Sequence, residues 1–338
     1  MPPLVVDVMN GFRSDLLRQD AAQMRAMTER WRQVEANLQA EVLRFTERVR
    51  QDGLTVGQLQ SRQFQLDRYV SLLSQVRREL DKYTDYAEPV IVAGQRQAAA
   101  TGINAATAAI NAVASEAGTR IAFDVLPVNA VQNLVGLAGN GSPLRTLLVG
   151  SYGAGADGMF NELINATAKG QNPRVTARNM VRQGLSQSLD RMLLTARTEQ
   201  LRVFRESSRQ QYINSGVVTQ YRRLATKSPR TCLGCLLSDG ELYELEDSLR
   251  EHPGGRCTLI PVVKGFPPVK WETGQDWLLN QSTATQRSIM GPGRFKAWQE
   301  GRIDLPAMVT VRRNSIWGDS VQPTPLRDLV GGDPGVVY

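Results

Sequence analysis

Cysteine is scarce in this chain. Three occur in 338 residues, an odd number too small for the framework of a disulfide-stapled domain. Synthesis in a reducing compartment is the expectation. Histidine is scarcer still, with one residue. No run approaches the ~20 consecutive apolar residues that a membrane-spanning helix needs, so no membrane partner is expected. The opening MPPLVVDVMN has no basic stretch leading into an apolar core, which argues against a secretory signal. Common catalytic signatures are missing too. There is no G-x-x-x-x-G-K-[ST] loop, no G-x-S-x-G elbow and no H-E-x-x-H helix. A lone histidine, once engaged elsewhere, leaves Ser-His or Cys-His chemistry without a base. The deaminase pattern of His or Cys-x-Glu followed by Pro-Cys-x-x-Cys is also absent. An enzyme is therefore not expected.

Lysine is almost replaced by arginine, 6 against 34, within a net charge of +7. The distribution says more than the total. Residues 1–120 carry 15 basic and 14 acidic groups, whereas residues 169–230 carry 13 basic and 3 acidic ones. Residues 239–251 then hold six acids and one arginine. A basic stretch beside an acidic loop is either a self-complementary face or an attractor of phosphate or of an acidic partner. Hydrophobic residues make up 41%, enough to bury at least one sizeable core.

The first third reads as helix. Apolar residues at Leu17, Met24, Met27, Trp31, Val34, Leu38, Val42, Phe45 and Val49 recur mainly in threes and fours, one stripe on one helix face. A break is expected at Gln51-Asp52-Gly53. A second stripe follows at Leu59, Leu66, Val70, Leu73, Val76, Leu80 and Tyr83. Two such helices predict an antiparallel hairpin, which either packs on its own chain or docks its stripe on a partner. An Ala-rich helix is expected over 90–117, and residues 118–160 are rich in glycine. Asn172-Pro173 starts a further helical region, expected as two helices, 173–183 and 186–213, broken near Gly184. Residues 217–224 and 258–263 read as strands, with Pro261 placing the second at an edge. The fold class that results is mainly α with a small antiparallel β module (α+β). Its order is a helical region over 1–120, a connecting segment over 121–165, a module over 166–300 and an irregular segment over 301–338.

All three cysteines and the histidine lie within 26 residues. Cys232 and Cys235 form a C-x-x-C hook, and His252 and Cys257 arrive beyond a 16-residue loop. Two such pairs complete the tetrahedron that Zn²⁺ favours, and four protein ligands make a structural rather than catalytic site. Such an ion would pin the β-ribbon and contribute to folding. The alternatives are three reduced thiols beside a surface histidine, or a redox hook. The redox reading lacks its helix start, because Leu236-Leu237-Ser238-Asp239-Gly240 reads as a turn.

The order of motifs is specific. A helix carries Ala196-Arg197-Thr198-Glu199. Then come Arg230-Thr231-Cys232-x-x-Cys235, Asp239-Gly240 and His252-Pro253-x-x-Arg256-Cys257. Gln286-Arg287-Ser288-Ile289-Met290-Gly291 and Trp298-Gln299-Glu300-Gly301 follow. Over roughly residues 160–300 this resembles the minor head proteins of tailed bacteriophages, the head-morphogenesis family named after protein F of phage Mu. Two departures stand out: Gly255 where a cysteine is common, and Tyr221 where a tryptophan is common. The resemblance implies a low-copy virion protein made in the bacterial cytoplasm. It would sit in the capsid interior or at the portal vertex, bind the portal protein and other head proteins, and assist head assembly and genome packaging or ejection. Some members carry an added C-terminal enzymatic or toxin domain, for which the roughly 40 residues beyond the matched region are too few.

Two residue groups remain. Arg197, Thr198, Glu199 and Arg256 are candidate structural tethers, with Arg197 and Glu199 expected to hold the following strand or the metal loop by charge-assisted hydrogen bonds. Arg178, Arg182, Arg191, Arg202, Arg205, Arg209, Arg222 and Arg223 are candidates for phosphate contact with packaged DNA. A DNA-binding zinc module that coats or escorts the genome is thus the rival to the portal-docking reading, and a zinc hydrolase a third.

Overall fold

The computed structural model describes residues 3–51, 62–151 and 172–330. Three long helices dominate it: α1 (Leu4–Gln51), α2 (Arg62–Glu116) and, after the short α3 (Leu144–Gly150), α4 (Pro173–Ser215). The chain then forms β1 (Val218–Leu224), α5 (Leu233–Leu237), β2 (Leu242–Glu244) and β3 (Thr258–Val263). Three short helices follow, α6 (Gly274–Leu279), α7 (Thr283–Met290) and α8 (Pro292–Gln299). Strands β4 (Val309–Arg312) and β5 (Ser320–Pro323) and helix α9 (Leu326–Leu329) complete it. This is the expected α+β class.

Two compact units share the long helices. Of the described residues, one unit takes 19–51, 62–94, 136–151 and 172–197; the other takes 3–18, 95–135 and 198–330. The division expected from the sequence follows chain order, whereas each unit gathers segments far apart in the chain.

The first unit is a helical bundle. Met24, Met27, Trp31, Val34, Leu38 and Val42 of α1 are buried against Val76, Leu80, Tyr83, Ala87 and Ile91 of α2. From Met24 to Val42 the α1 stripe is therefore core, the first of the two uses its spacing left open. The Tyr83 hydroxyl donates to the Met27 carbonyl at 3.1 Å, Asn37 donates to Glu79 at 3.0 Å, and the Trp31 and Tyr83 rings meet edge-on at 4.8 Å. These pairings run in opposite senses, so the hairpin is antiparallel. Its turn at Asp52-Gly53 lies outside the described residues.

Two expected breaks are absent. The second stripe and the Ala-rich helix form one 55-residue helix that passes through Pro89. A proline inside a helix removes one donor and costs about 3 kcal/mol, but Ala87 and Ile91 on either side are fully buried. Likewise α4 runs unbroken through Gly184, between buried Val181 and Leu185. Glycine costs only about 1 kcal/mol against alanine there, less than burying one leucine contributes.

The second unit holds the β module. Its sheet has the order β2-β1-β3, antiparallel throughout, with Tyr221 opposite both Tyr243 and Pro261. Pro261 lies on an edge strand, as expected. Strand β2 lies within the stretch whose composition predicts an acidic loop. Its three residues pair because Tyr243 stacks on Tyr221, ring centroids 5.2 Å apart. The sheet packs with Val5, Val6, Met9 and Leu16 of α1, with Ala105, Ala106, Ala109 and Ile110 of α2, and with Leu201, Phe204 and Tyr212 of α4. The small residues of α2 are what closeness requires. A Cβ on Gly102 would lie 2.3 Å from the Phe204 carbonyl oxygen. The expected irregular segment over 301–338 contains the β4–β5 hairpin, paired from Val309 with Pro323 to Arg312 with Ser320. In the glycine-rich 121–165 stretch, a 3-10 helix spans Val128–Leu134 ahead of α3, and residues 152–165 lie outside the described ones.

Candidate metal centre

The four residues singled out by spacing come together, in two overlapping sets. Helix α4 ends at Ser215, with Gly216 at φ 65° allowing the reversal into β1. Beyond β1, Cys232 caps helix α5, and its Sγ accepts from the Cys235 backbone N–H at 3.3 Å. The hook therefore does carry a helix start, one that begins inside it rather than after it. The return loop brings Glu251 and His252, and Cys257 directly precedes β3. His252 Nε2 lies 3.2 Å from Cys232 Sγ and 3.3 Å from Cys235 Sγ. Cys235 Sγ lies 3.4 Å from Glu251 Oε1. Donor atoms of Cys232, Cys235 and His252, and again of Cys235, Glu251 and Cys257, lie within 4.8 Å of one another. The cluster can hold a metal ion, and it faces a cavity of about 130 Å³ that Arg230 and Arg256 also line.

Charge around the cluster is arranged in pairs. The hydrogen bond from Cys235 holds the Cys232 thiol well below the usual range against the opposing effect of burial, helped by His252. The bond to Cys232 pushes His252 up to about 9, again against burial. Hydrogen bonds with Cys232 and Cys257, and then burial, push Cys235 up. Burial would raise the Glu251 carboxyl, but Arg223 and Arg205 outweigh it and hold it below its ordinary value. Arg223 is fully buried, donating to Glu251 Oε2 at 3.2 Å and to the Tyr243 hydroxyl at 3.3 Å. Arg205 donates to the Gly255 carbonyl at 3.1 Å, and Arg13 to the Leu224 carbonyl at 3.3 Å.

The tethers divide three ways, as successive helix residues must. Thr198 Oγ1 accepts from the Gly254 N–H at 2.9 Å and so holds the His252 loop. Arg197 does not reach the strand or the metal loop; it pairs with buried Asp20 of α1 at 2.7 Å. Glu199 pairs with Arg202, one turn along the same helix, at 2.7 Å. Arg256 donates to the Arg230 carbonyl at 3.4 Å.

The arginine face is also corrected. Arg205 and Arg223 are buried, because their guanidiniums serve the cluster. Arg209 donates to Glu206 and to the Leu245 carbonyl. Arg222 donates to the Gly240 carbonyl and lies over the Trp271 ring at 5.0 Å. Arg202 is engaged with Glu199. Arg178, Arg182 and Arg191 remain exposed. Much of the basic stretch is thus matched within the protein, with Arg223 on Glu251 and Arg209 on Glu206.

Sequence reasoning missed Glu251, Arg13 and the role of Gly255. The available signal for Glu251 was its place directly before the only histidine. Among the described residues no helix is long and apolar enough to cross a membrane. No protein-family model matches the chain, and neither a curated protein nor a solved structure does. The likeness to phage minor head proteins rests on the motif residues alone.

Proposed function

We propose that this chain is a structural protein, a minor head protein of a tailed bacteriophage that docks at or near the portal and assists head assembly and genome packaging or ejection. In this reading a Zn²⁺ ion pins its β module. One observation carries it: Thr198 of the Arg-Thr-Glu helix binds Gly254, next to the loop that brings His252 onto the Cys232–Cys235 hook. The threonine of the motif thus supports the loop of the cluster, while Arg197 and Glu199 pair elsewhere. Thiolates and an imidazole suit Zn²⁺ over harder cations, and the donors fit it. The 3.2–3.3 Å separations between sulfur and imidazole nitrogen approach the edge of about 3.5 Å expected for a tetrahedral zinc site. Bound there, the ion would supply cross-linking free energy between β1, the hook and β3.

Co-expression with the portal protein of the same genome tests this, with complexes sized by chromatography and mass analysis. A complex of defined stoichiometry is the expected result. Two separate species would count against portal docking. Salt-sensitive binding to duplex DNA would then favour genome escort, through Arg178, Arg182 and Arg191.

A further inference from the structure

Cys235 Sγ, His252 Nε2 and Glu251 Oε1 form a nearly equilateral triangle, with edges of 3.3, 3.4 and 3.5 Å. One face of a tetrahedral zinc site with a sulfur and two lighter donors has edges of about 3.3–3.7 Å, from bonds of about 2.0–2.3 Å. The spacing of the sequence made Cys257 the fourth ligand of a Cys₃His set. In the structure Cys257 meets the cluster through Cys235 and Glu251, while Cys232 meets it through Cys235 and His252. Glu251 is therefore shared with Cys257 on one side of Cys235, as His252 is with Cys232 on the other.

The surroundings of Glu251 fit that position. Its side chain is 2% exposed. A Cβ on Gly255 would lie 2.1 Å from Oε1, 2.3 Å from Cδ and 2.5 Å from Cγ, so glycine at 255 is what makes room for the carboxylate. Arg223 holds the opposite oxygen, Oε2, and leaves Oε1 facing the cluster. There Oε1 accepts from the Cys235 thiol and, at 3.2 Å, from the backbone N–H of His252. Metal binding removes the thiol proton. Oε1 would then face a thiolate at the same short distance inside the protein, and a cation between the two relieves that repulsion.

We infer that Glu251 is a metal ligand: its Oε1 joins Cys235 Sγ and His252 Nε2 in one face of a tetrahedron whose fourth corner is Cys232 Sγ. This rests on the reading of the cluster as a metal centre. It makes the site a mixed thiolate–imidazole–carboxylate one, with Arg223 keeping the carboxylate monodentate. Arg223 also bonds to Tyr243 of β2 and to the Arg250 carbonyl, so occupancy of the site reaches the sheet through one side chain.

X-ray absorption at the zinc edge of the zinc-loaded full chain tests the assignment. Two light scatterers, nitrogen and oxygen, are expected beside the sulfurs. Glu251→Gln and Gly255→Ala are each expected to weaken zinc binding at least tenfold against a competing chelator. A wild-type shell of three sulfurs and one nitrogen, with zinc affinity unchanged in both variants, overturns the assignment and leaves the metal centre standing. If either variant fails to fold, the wild-type shell decides alone. A folded chain that takes up no zinc overturns both the assignment and the metal centre on which it rests.

Discussion

Asp20 is an acid in an adverse place. Its carboxyl is 2% exposed, and Oδ1 is buried with no hydrogen-bond partner. Burial pushes its pKa up even though Arg197 binds Oδ2 at 2.7 Å and opposes the shift. A raised native pKa means that the fold prefers the protonated acid. That contribution is fully present below the unfolded value of about 3.9 and is lost as pH rises through the native one. Asp20→Asn removes this slope. Its melting temperature relative to wild type should therefore move in the variant's favour between pH 4 and pH 7, as calorimetry at several pH values would show. A constant offset would mean that Arg197 fully compensates the buried charge. Thr198, the next residue on from Arg197, is oriented differently, for its hydroxyl serves the metal loop. Neighbours in the motif thus answer to separate parts of the molecule.

Pro89 poses the question for elements. It is exposed within α2, flanked by fully buried Ala87 and Ile91. Pro89→Ala restores a helical donor without touching the core, so it should stabilise the protein by about 1–3 kcal/mol, read from chemical denaturation. A loss of stability would mean that a bend at Pro89 is needed for packing. The same element marks how far the sequence was legible. Apolar periodicity located both hairpin helices, and turn chemistry located β1 and β3, because these signals are local. The helix boundary expected before residue 90, where Pro89 lies, and the break expected near Gly184 are overridden for a related reason. The penalties of Pro89 and Gly184 are local too, while the burial that overrides them comes from segments far along the chain. Strand β2 has no pattern of its own and exists through Tyr221. In the metal cluster, ligand spacing revealed the cysteines and the histidine. Glu251 could not be read that way, since its role depends on the space left by Gly255 and on Arg223 from strand β1.

At the scale of the whole molecule, the β module is not confined to the motif-bearing stretch. Its core includes Val5, Val6, Met9 and Leu16 together with Ala98, Ala105, Ala109 and Ile110. A fragment of residues 166–300 carries every cysteine and the histidine but none of these partners. Even with zinc it should lack a cooperative thermal transition, whereas the full chain should show one; a sharp zinc-dependent transition in the fragment would disprove the dependence. The interleaving also sets a timetable. On a ribosome adding ~5–20 residues per second, the interval between Leu16 and Ile260 is on the order of 10–50 s. Throughout that time the apolar side of the first helix has been made and its sheet has not. The nascent chain therefore has a long window in which Val5, Val6 and Met9 lack their final neighbours, and it is during synthesis that chaperones would matter most to this protein.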